Sequence, residues 1–564
     1  MPVDVGPHRP LLPVTFMRFG LLAVIGLLTL IVIIISIWAP GWLWLLVIFV
    51  PLLAVGAFDR NQTRHSLRRN FPLLARFRWL FEDLGPFMRQ YIVEDDLSGR
   101  PYSRMDRALI YARAKGDEDA HPFGTELDVD AIEYQLMSHS IKPVDKATEP
   151  FRVDVGGPQC DKPYSASILN ISAMSFGALG GNAIQAMNLG AKLGGFYHDT
   201  GEGSISPYHR KHGGDLVWEV GSGYFGCRNK DGTFDQALFA EQAVDDQVRM
   251  VEIKLSQGAK PGHGGVLPGA KVTPEIAATR HVPEGQDCIS PAYHTAFSTP
   301  RELVEFAAKM REWSGGKPAG IKLCVGHAHE VFAIMKAMLD SEILLDFIVV
   351  DGAEGGTGAA PLEFSDRLGM PLREGLILVR NALVGCGLAG KVKLAASGKV
   401  VSGFSLAANA AIGADWSNAA RAFMFSVGCV QSLKCHTGRC PTGVTTQDPT
   451  LQRGLVIEDK AERVRRFHDN TLGTLTEMVA AAGLNHPNEL QPHHLYHRVT
   501  SVELRSIDRL FPFLGENELI DDPDSTPYAT WWRAASPDSF AAQTDVTADR
   551  LAVYNEALAK GQRL

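Results

Sequence analysis

The sequence predicts an α/β protein, a (β/α)8 barrel of the TIM type preceded by an N-terminal two-helix transmembrane hairpin. Three observations predict it. Between Ala166 and Val427 a short apolar run, a glycine-rich loop and a helical stretch follow one another repeatedly, the rhythm of parallel βα units. Glycine is abundant, 55 of 564 residues, about 10% against a usual 7%, which suits many tight turns at strand ends. From Phe19 to Ala57 there is no Asp, Glu, Lys or Arg in 39 residues.

The uncharged stretch breaks at Ala39-Pro40-Gly41 into Phe19–Trp38 and Trp42–Phe58. Each half is near the ~20 apolar residues that cross a bilayer, and Trp38, Trp42 and Trp44 gather at the break, where an interfacial belt would put them. A secretory signal, with an apolar core of about 7–15 residues and a small-residue cleavage site, does not fit. Arg9 and Arg18 precede the stretch; Arg60, Arg64, Arg68, Arg69, Arg76 and Arg78 follow it. Positive flanks stay inside, so the expectation is a multi-pass membrane protein with two helices and a cytoplasmic catalytic body. The expected divisions are a hairpin over 1–58, a connecting cytoplasmic segment over 59–150, a barrel over 151–484 and a C-terminal extension over 485–564.

The connecting segment is mostly polar, with helical periodicity around Ser103–Ala114. In the body the expected strands are Ala166–Ala173, Phe196–Asp199, Met250–Leu255, Gly320–Val325, Phe347–Val350, Val392–Ala396 and Ala422–Val427. Seven or eight such units suit a closed barrel better than an open doubly wound sheet, which stands as the alternative. In a barrel the chemistry lies in the loops after the strands, where the glycines and charges of this chain cluster.

Composition excludes several functions. With 45% hydrophobic and 21% charged residues the chain buries a large core, so it is not disordered. Its 55 Lys+Arg against 63 Asp+Glu give a net charge of −8, and without a long basic tract a nucleic-acid partner is not expected. Eight cysteines are too few for a disulfide scaffold of this length.

Three of those eight, Cys429, Cys435 and Cys440, fall within 12 residues as C-x5-C-x4-C followed by Pro441. Clustered thiolates are ligands for iron–sulfur clusters. Three ligands suit a three-iron cluster or a four-iron one with an open corner; zinc would want a fourth, and His436 is badly spaced for it. Cys160, Cys227, Cys288, Cys324 and Cys386 are scattered, as core residues are.

Two loops suit close backbone contact with a flat or phosphorylated ligand. Gly258–Gly269 holds five glycines in 12 residues, and Asp351-Gly-Ala-Glu-Gly-Gly-Thr-Gly358 follows an apolar strand. Glycine permits close approach, and exposed amides cradle anions. No G-x-G-x-x-G opens a helix after a strand, so a nicotinamide-binding domain is not expected.

Together these motifs resemble the synthase domain of glutamate synthases from about Phe151 to Gly483. The likeness rests on Ala173-Met-Ser-Phe-Gly-Ala-Leu179, Thr200-Gly-Glu-Gly203, Lys254-Leu-Ser-Gln-Gly-Ala-Lys-Pro-Gly262, Ile289-Ser-Pro291, Asp351–Gly358 and Gly428–Gln447. The resemblance implies a barrel that binds FMN and a 3Fe-4S cluster on Cys429, Cys435 and Cys440. It implies reduction of an imine made from 2-oxoglutarate and ammonia, giving glutamate. Carried over position by position, Met174, Ser175, Gln257, Lys322, Asp351, Gly356, Thr357, Gly358, Ser397, Gly398 and Gly403 match cofactor positions, with Lys322 near the flavin ring. Lys254, Lys260 and Arg280 match the cations that bind the oxo-dicarboxylate, as two carboxylates require, and Glu202 matches a glutamate close to the flavin.

The departures shape the expectation further. His263 and Val266 stand where the family has Glu and Gln, which favours an altered substrate, such as an alkylamine giving an N-substituted glutamate. Asn418-Ala-Ala-Arg421 replaces a glycine stretch, with Arg421 offered to the FMN phosphate. No glutaminase domain precedes the barrel, so ammonia is expected from solution or a partner. Electrons are expected from a separate donor protein or a membrane carrier. A non-catalytic electron-transfer subunit is the reading from another class.

Overall fold

A computed structural model describes residues 14–548. Arg9, the start of the expected hairpin and the last 16 residues of the expected C-terminal extension lie outside the described residues. The chain divides into two compact units, Met1–Met105 and Asp106–Leu564, so the segment expected over 59–150 contributes to both.

In the first unit, α1 (Val14–Ser36) and α2 (Leu46–Asn61) pack on each other, joined by a 3-10 turn over Pro40–Leu45. Arg18–Ser36 within α1, and Pro40–Asn61, which is the turn and α2 together, are each long and apolar enough to cross a membrane. Few side chains are enclosed: Ile25 and Val32 are buried, whereas Leu27, Leu30, Ile37 and Val47 are exposed. A short helix, Ser66–Asn70, leads to α3 (Leu74–Met88).

The second unit is built on a closed barrel of eight parallel strands. In order they are β1 (Leu169–Ile171), β2 (His198–Asp199), β3 (Leu216–Val220), β4 (Val248–Lys254), β5 (Ala319–Leu323), β6 (Phe347–Asp351), β7 (Lys393–Ser397) and β8 (Trp416–Ala419). Each pairs with its sequence neighbours, and β8 closes on β1 through Ser417–Leu169 and Asn418–Asn170. Helices follow the strands, among them α4 (Gly181–Gly194), α5 (Pro274–Arg280), α6 (Gly403–Ala411) and α7 (Arg421–Ser426). Packing on both sides of each strand explains the apolar runs: β5 and β6 are buried along their whole length.

Two expected elements differ. Ala422–Val427 is not the last strand; its residues form α7, and the strand is Trp416–Ala419. A six-residue apolar run has no period that separates strand from buried helix. The real strand is half polar because Asn418 accepts hydrogen bonds from Tyr197 (2.6 Å) and Trp416 (3.2 Å), and Ser417 accepts from Asn409 (3.1 Å). Leu216–Val220 is a strand not foreseen, for Glu219 interrupts its apolar run yet is buried.

The helix near Ser103–Ala114 is present as Arg104–Lys115. After the cysteine loop, α8 (Ile457–Ala481) buries Val464, Phe467 and Leu475 against the barrel and α4. The C-terminal region then returns to the connecting segment: Leu495–Thr500 pairs antiparallel with Gln135–Met137 and with Glu503–Ser506. The helix Ala529–Ala534 sets Trp532 against Phe332, with Lys336 4.6 Å from its ring centre.

Candidate active site

The β2 loop turns Glu202 across the barrel mouth, where its Oε2 lies 3.0 Å from Lys254 Nζ at the end of β4. Gln257 is the next group outward. Its Oε1 is 3.4 Å from Lys254 Nζ and its Nε2 donates to Gly356 O (2.8 Å), joining the β4 and β6 loops. Asp351 joins them again, accepting from the Gly258 amide (2.8 Å). A side chain at Gly258 would collide with Gly352 O, so this close approach requires glycine.

Lys260 and Arg280 are buried on the same side. Arg280 closes α5 and donates through Nη2 to Phe176 O (2.9 Å) and Ser175 Oγ (3.4 Å), while its Nε is buried without a partner. Burial would raise the Glu202 pKa, but Lys254, Lys260 and Arg280 overcome it and hold the carboxyl at about 2. Burial lowers Lys260 against the pull of Glu202; for Lys254 the neighbouring carboxylates win and the pKa rises. Three cations thus surround one carboxylate.

One layer deeper the balance reverses. Glu219 on β3 reaches past β4 to Lys322 on β5, 2.5 Å away, so both side chains enter the barrel; Glu252 Oε1 lies 4.0 Å from the same ammonium. Asp199, Glu219 and Glu252 bring carboxylate oxygens within 4.8 Å of one another. Burial first, then Glu219, push Asp199 up to about 8; burial and Asp199 raise Glu252 well above the usual range. Burial opposes the charge on Lys322, but Glu219 and Glu252 hold its pKa well up. Sequence reasoning identified Lys322 and missed its three acids; single charges inside apolar runs were the available signal. It also missed buried His294, whose Nε2 is 2.8 Å from Lys254 O.

The loops after β7 and β8 carry the rest. Ser397 Oγ lies 3.3 Å from Ser172 Oγ, and Gly398 takes φ 153°. Gly403 opens α6, but its bare side is filled by Thr474 and Leu475 of α8, 3.1 and 2.9 Å from where a Cβ would lie; that packing accounts for the glycine. Arg421 donates to Thr357 O and points Nη1 at Cys435 Sγ (3.8 Å), bridging the β6 loop and the cysteine loop. Gly356 lies against the Arg421 side chain, and Gly358 is open around its Cα. Met174 is buried.

Cys429 and Cys440 are buried and Cys435 is half-buried. The loop between them curls through left-handed Gln431, Leu433 and Gly438. Lys271, another residue not foreseen, donates to Cys435 O (3.3 Å), and Tyr111 donates to Cys429 O (2.6 Å). Gln447 ties the loop's end to the first strand's loop through Leu179 O (3.0 Å). Among the described residues the set of ligand atoms close enough for a single ion is the carboxylate trio, not these thiols. His263 and Val266 are both exposed at the rim.

Barrel and site together define a parallel (β/α)8 barrel whose mouth is rich in buried cations. Residues 152–485 match the family model described as a conserved region in glutamate synthase. The glutamate synthase large subunit-like protein YerD of Bacillus subtilis (strain 168) is 36% identical over 492 residues, 80% of this chain and 93% of that one. The archaeal glutamate synthase [NADPH] of Methanocaldococcus jannaschii is 35% identical over 318 residues, which are 56% of this chain and 59% of that one. A mandelate oxidase crystal structure aligns with 75% of this chain and 95% of its own at 12% identity and TM-score 0.40; the barrel topology stands on the strand pairing instead. This chain belongs to the glutamate synthase family.

Proposed function

We propose that this enzyme is a membrane-tethered, FMN- and iron–sulfur-dependent oxidoreductase that converts 2-oxoglutarate and ammonia, through their imine, to glutamate. The observation that carries the reading is the charge surplus at the mouth: Lys254, Lys260 and Arg280 around Glu202 leave two uncompensated positive charges, the complement of a dicarboxylate. FMN, when bound, would supply the hydride, and a 3Fe-4S cluster the electrons that renew it.

The chain's own residues do the rest. The cations hold and orient the two carboxylates. A carboxyl held near 2 is ionised at neutral pH, so Glu202 accepts hydrogen bonds from the amine or iminium nitrogen and does not donate a proton. Met174, Ser175, Gln257, Gly356, Thr357, Gly358, Ser397 and Gly398 would hold the flavin, with Arg421 at its phosphate; loops after the seventh and eighth strands commonly do this in barrels. Cys429, Cys435 and Cys440 would hold the cluster. Their clustering in one loop and the Arg421 N–H directed at Cys435 Sγ support an anionic group there.

The apolar α1–α2 pair supports a membrane tether with the body on the cytoplasmic side, its electrons arriving from a separate donor protein or a membrane carrier. Exposed His263 and Val266 at the rim favour a second reading, a bulkier amine or a related oxo acid with the same cofactors.

The test is anaerobic stopped-flow absorbance on detergent-purified protein, reduced with dithionite and mixed with 2-oxoglutarate plus ammonium. Rapid return of oxidised flavin is expected. A reduced flavin indifferent to this pair moves the substrate to the second reading, and a protein without flavin overturns both. In Cys435→Ser the cluster's paramagnetic signal should disappear while flavin is retained.

A further inference from the structure

Helix α3 carries an apolar face that the fold leaves in the open. At 3.6 residues per turn, Leu74, Phe77, Leu80, Phe81, Leu84 and Met88 fall within an arc of about 120°, and each is between 42% and 67% exposed. Contiguous exposed apolar surface of this kind marks an interaction site.

One flank and the back of the helix are fastened. Arg76 forms a bidentate pair with Asp59 near the end of α2, Nε to Oδ2 at 2.8 Å and Nη2 to Oδ1 at 2.7 Å, and the Asp59 side chain is fully buried. The Leu73 amide donates to the same carboxylate (3.2 Å). Trp79 is covered by Arg68, 4.3 Å from its ring centre, and meets the edge of His65. Thus the helix is clamped by its polar back to the foot of the second apolar helix, with its apolar front turned outward.

Charge identifies the occupant. From Asp59 to Arg89 there are seven arginines and three carboxylates, a net charge of +4 in a chain whose total is −8. Arg78, exposed and paired with Glu82 at 2.7 Å, sits about 40° outside one border of the apolar arc, where headgroup phosphates meet a helix sunk into a leaflet; Arg76, at the other border, is taken up by Asp59. A protein partner would need an apolar groove with acidic walls on both sides; an anionic leaflet offers that pattern everywhere, and α2 already ends beside this helix.

We infer that α3 lies in the plane of an anionic membrane surface, its apolar arc sunk to the level of the acyl chains and the positive charge of the Asp59–Arg89 segment drawn to lipid phosphates. This rests on the membrane reading of α1 and α2. The anchor then has three elements, two crossing the bilayer and one lying on it.

The test uses the full chain in vesicles of phosphatidylcholine, with or without phosphatidylglycerol, carrying a photocrosslinker at one of three exposed positions. Phe81→p-benzoylphenylalanine probes the apolar arc, Glu82→p-benzoylphenylalanine the back of the helix, and Leu30→p-benzoylphenylalanine the first apolar helix. Mass spectrometry after irradiation should find lipid adducts at 30 and 81 and not at 82, with the yield at 81 falling at least threefold without phosphatidylglycerol. Lipid at 30 but protein adducts or none at 81 overturns the surface helix and leaves the spanning pair intact. No lipid at 30 removes both, and equal yields in the two lipid mixtures overturn the anionic surface.

Discussion

Two buried charge clusters lie one above the other in this barrel, and they are unbalanced in opposite directions. At the mouth, Lys254, Lys260 and Arg280 outnumber Glu202 three to one; below, Asp199, Glu219 and Glu252 outnumber Lys322 by the same ratio. A cation surplus at an opening is completed by an anionic ligand. In the lower cluster burial and Glu219 push Asp199 up to about 8, so that acid keeps its proton at neutral pH. The sign of the imbalance separates two layers built of the same residue types.

The sharpest way to break this comparison is to remove the one cation of the lower cluster. Lys322→Met strips buried Glu219 of its 2.5 Å partner and should destabilise the fold by about 3–5 kcal/mol, read as a large drop in Tm; a variant as stable as the parent would mean the cluster takes up a proton in its place. Next, on the proposed function, Lys260→Ala should raise the KM for 2-oxoglutarate about 10- to 100-fold, the value of one charge-assisted contact, with Tm almost unchanged. A matching fall in Tm would erase the distinction between the layers.

A third test is in pH. Asp199 ionises near 4 when unfolded and at about 8 when folded. Between those values the unfolded chain alone releases the proton, so stability falls as pH rises from about 4 to 8. Glu202 has the opposite sign: its folded pKa of about 2 gives stability that is present above about 4 and lost as pH falls toward 2. Thermal melts of Asp199→Asn should flatten the alkaline limb and leave the acid limb in place.

Much of the barrel is legible because strands packed on both sides must be apolar, as Phe347–Asp351 is. The strands that escape, Leu216–Val220 and Trp416–Ala419, are those whose inward residues are Glu219 and Asn418: a charge or amide satisfied across the barrel reads, in one dimension, like a surface position. For the same reason the motifs bring Glu202, Lys254, Lys260 and Arg280 to notice, while Asp199, Glu219 and Glu252 become a cluster only when three strands are placed side by side. Lys271 carries no sequence signal at all; its tie to Cys435 O is a product of the loop's path.

The pairing of Gln135–Met137 with Leu495–Thr500 has a consequence in time. A strand early in the chain waits for a partner made some 360 residues later, and β1 likewise waits for β8 to close the barrel. Contacts so distant in sequence form slowly. On the ribosome, α1 and α2 are complete long before any part of the barrel can close, so the chain must commit its apolar hairpin first and fold its enzyme afterwards.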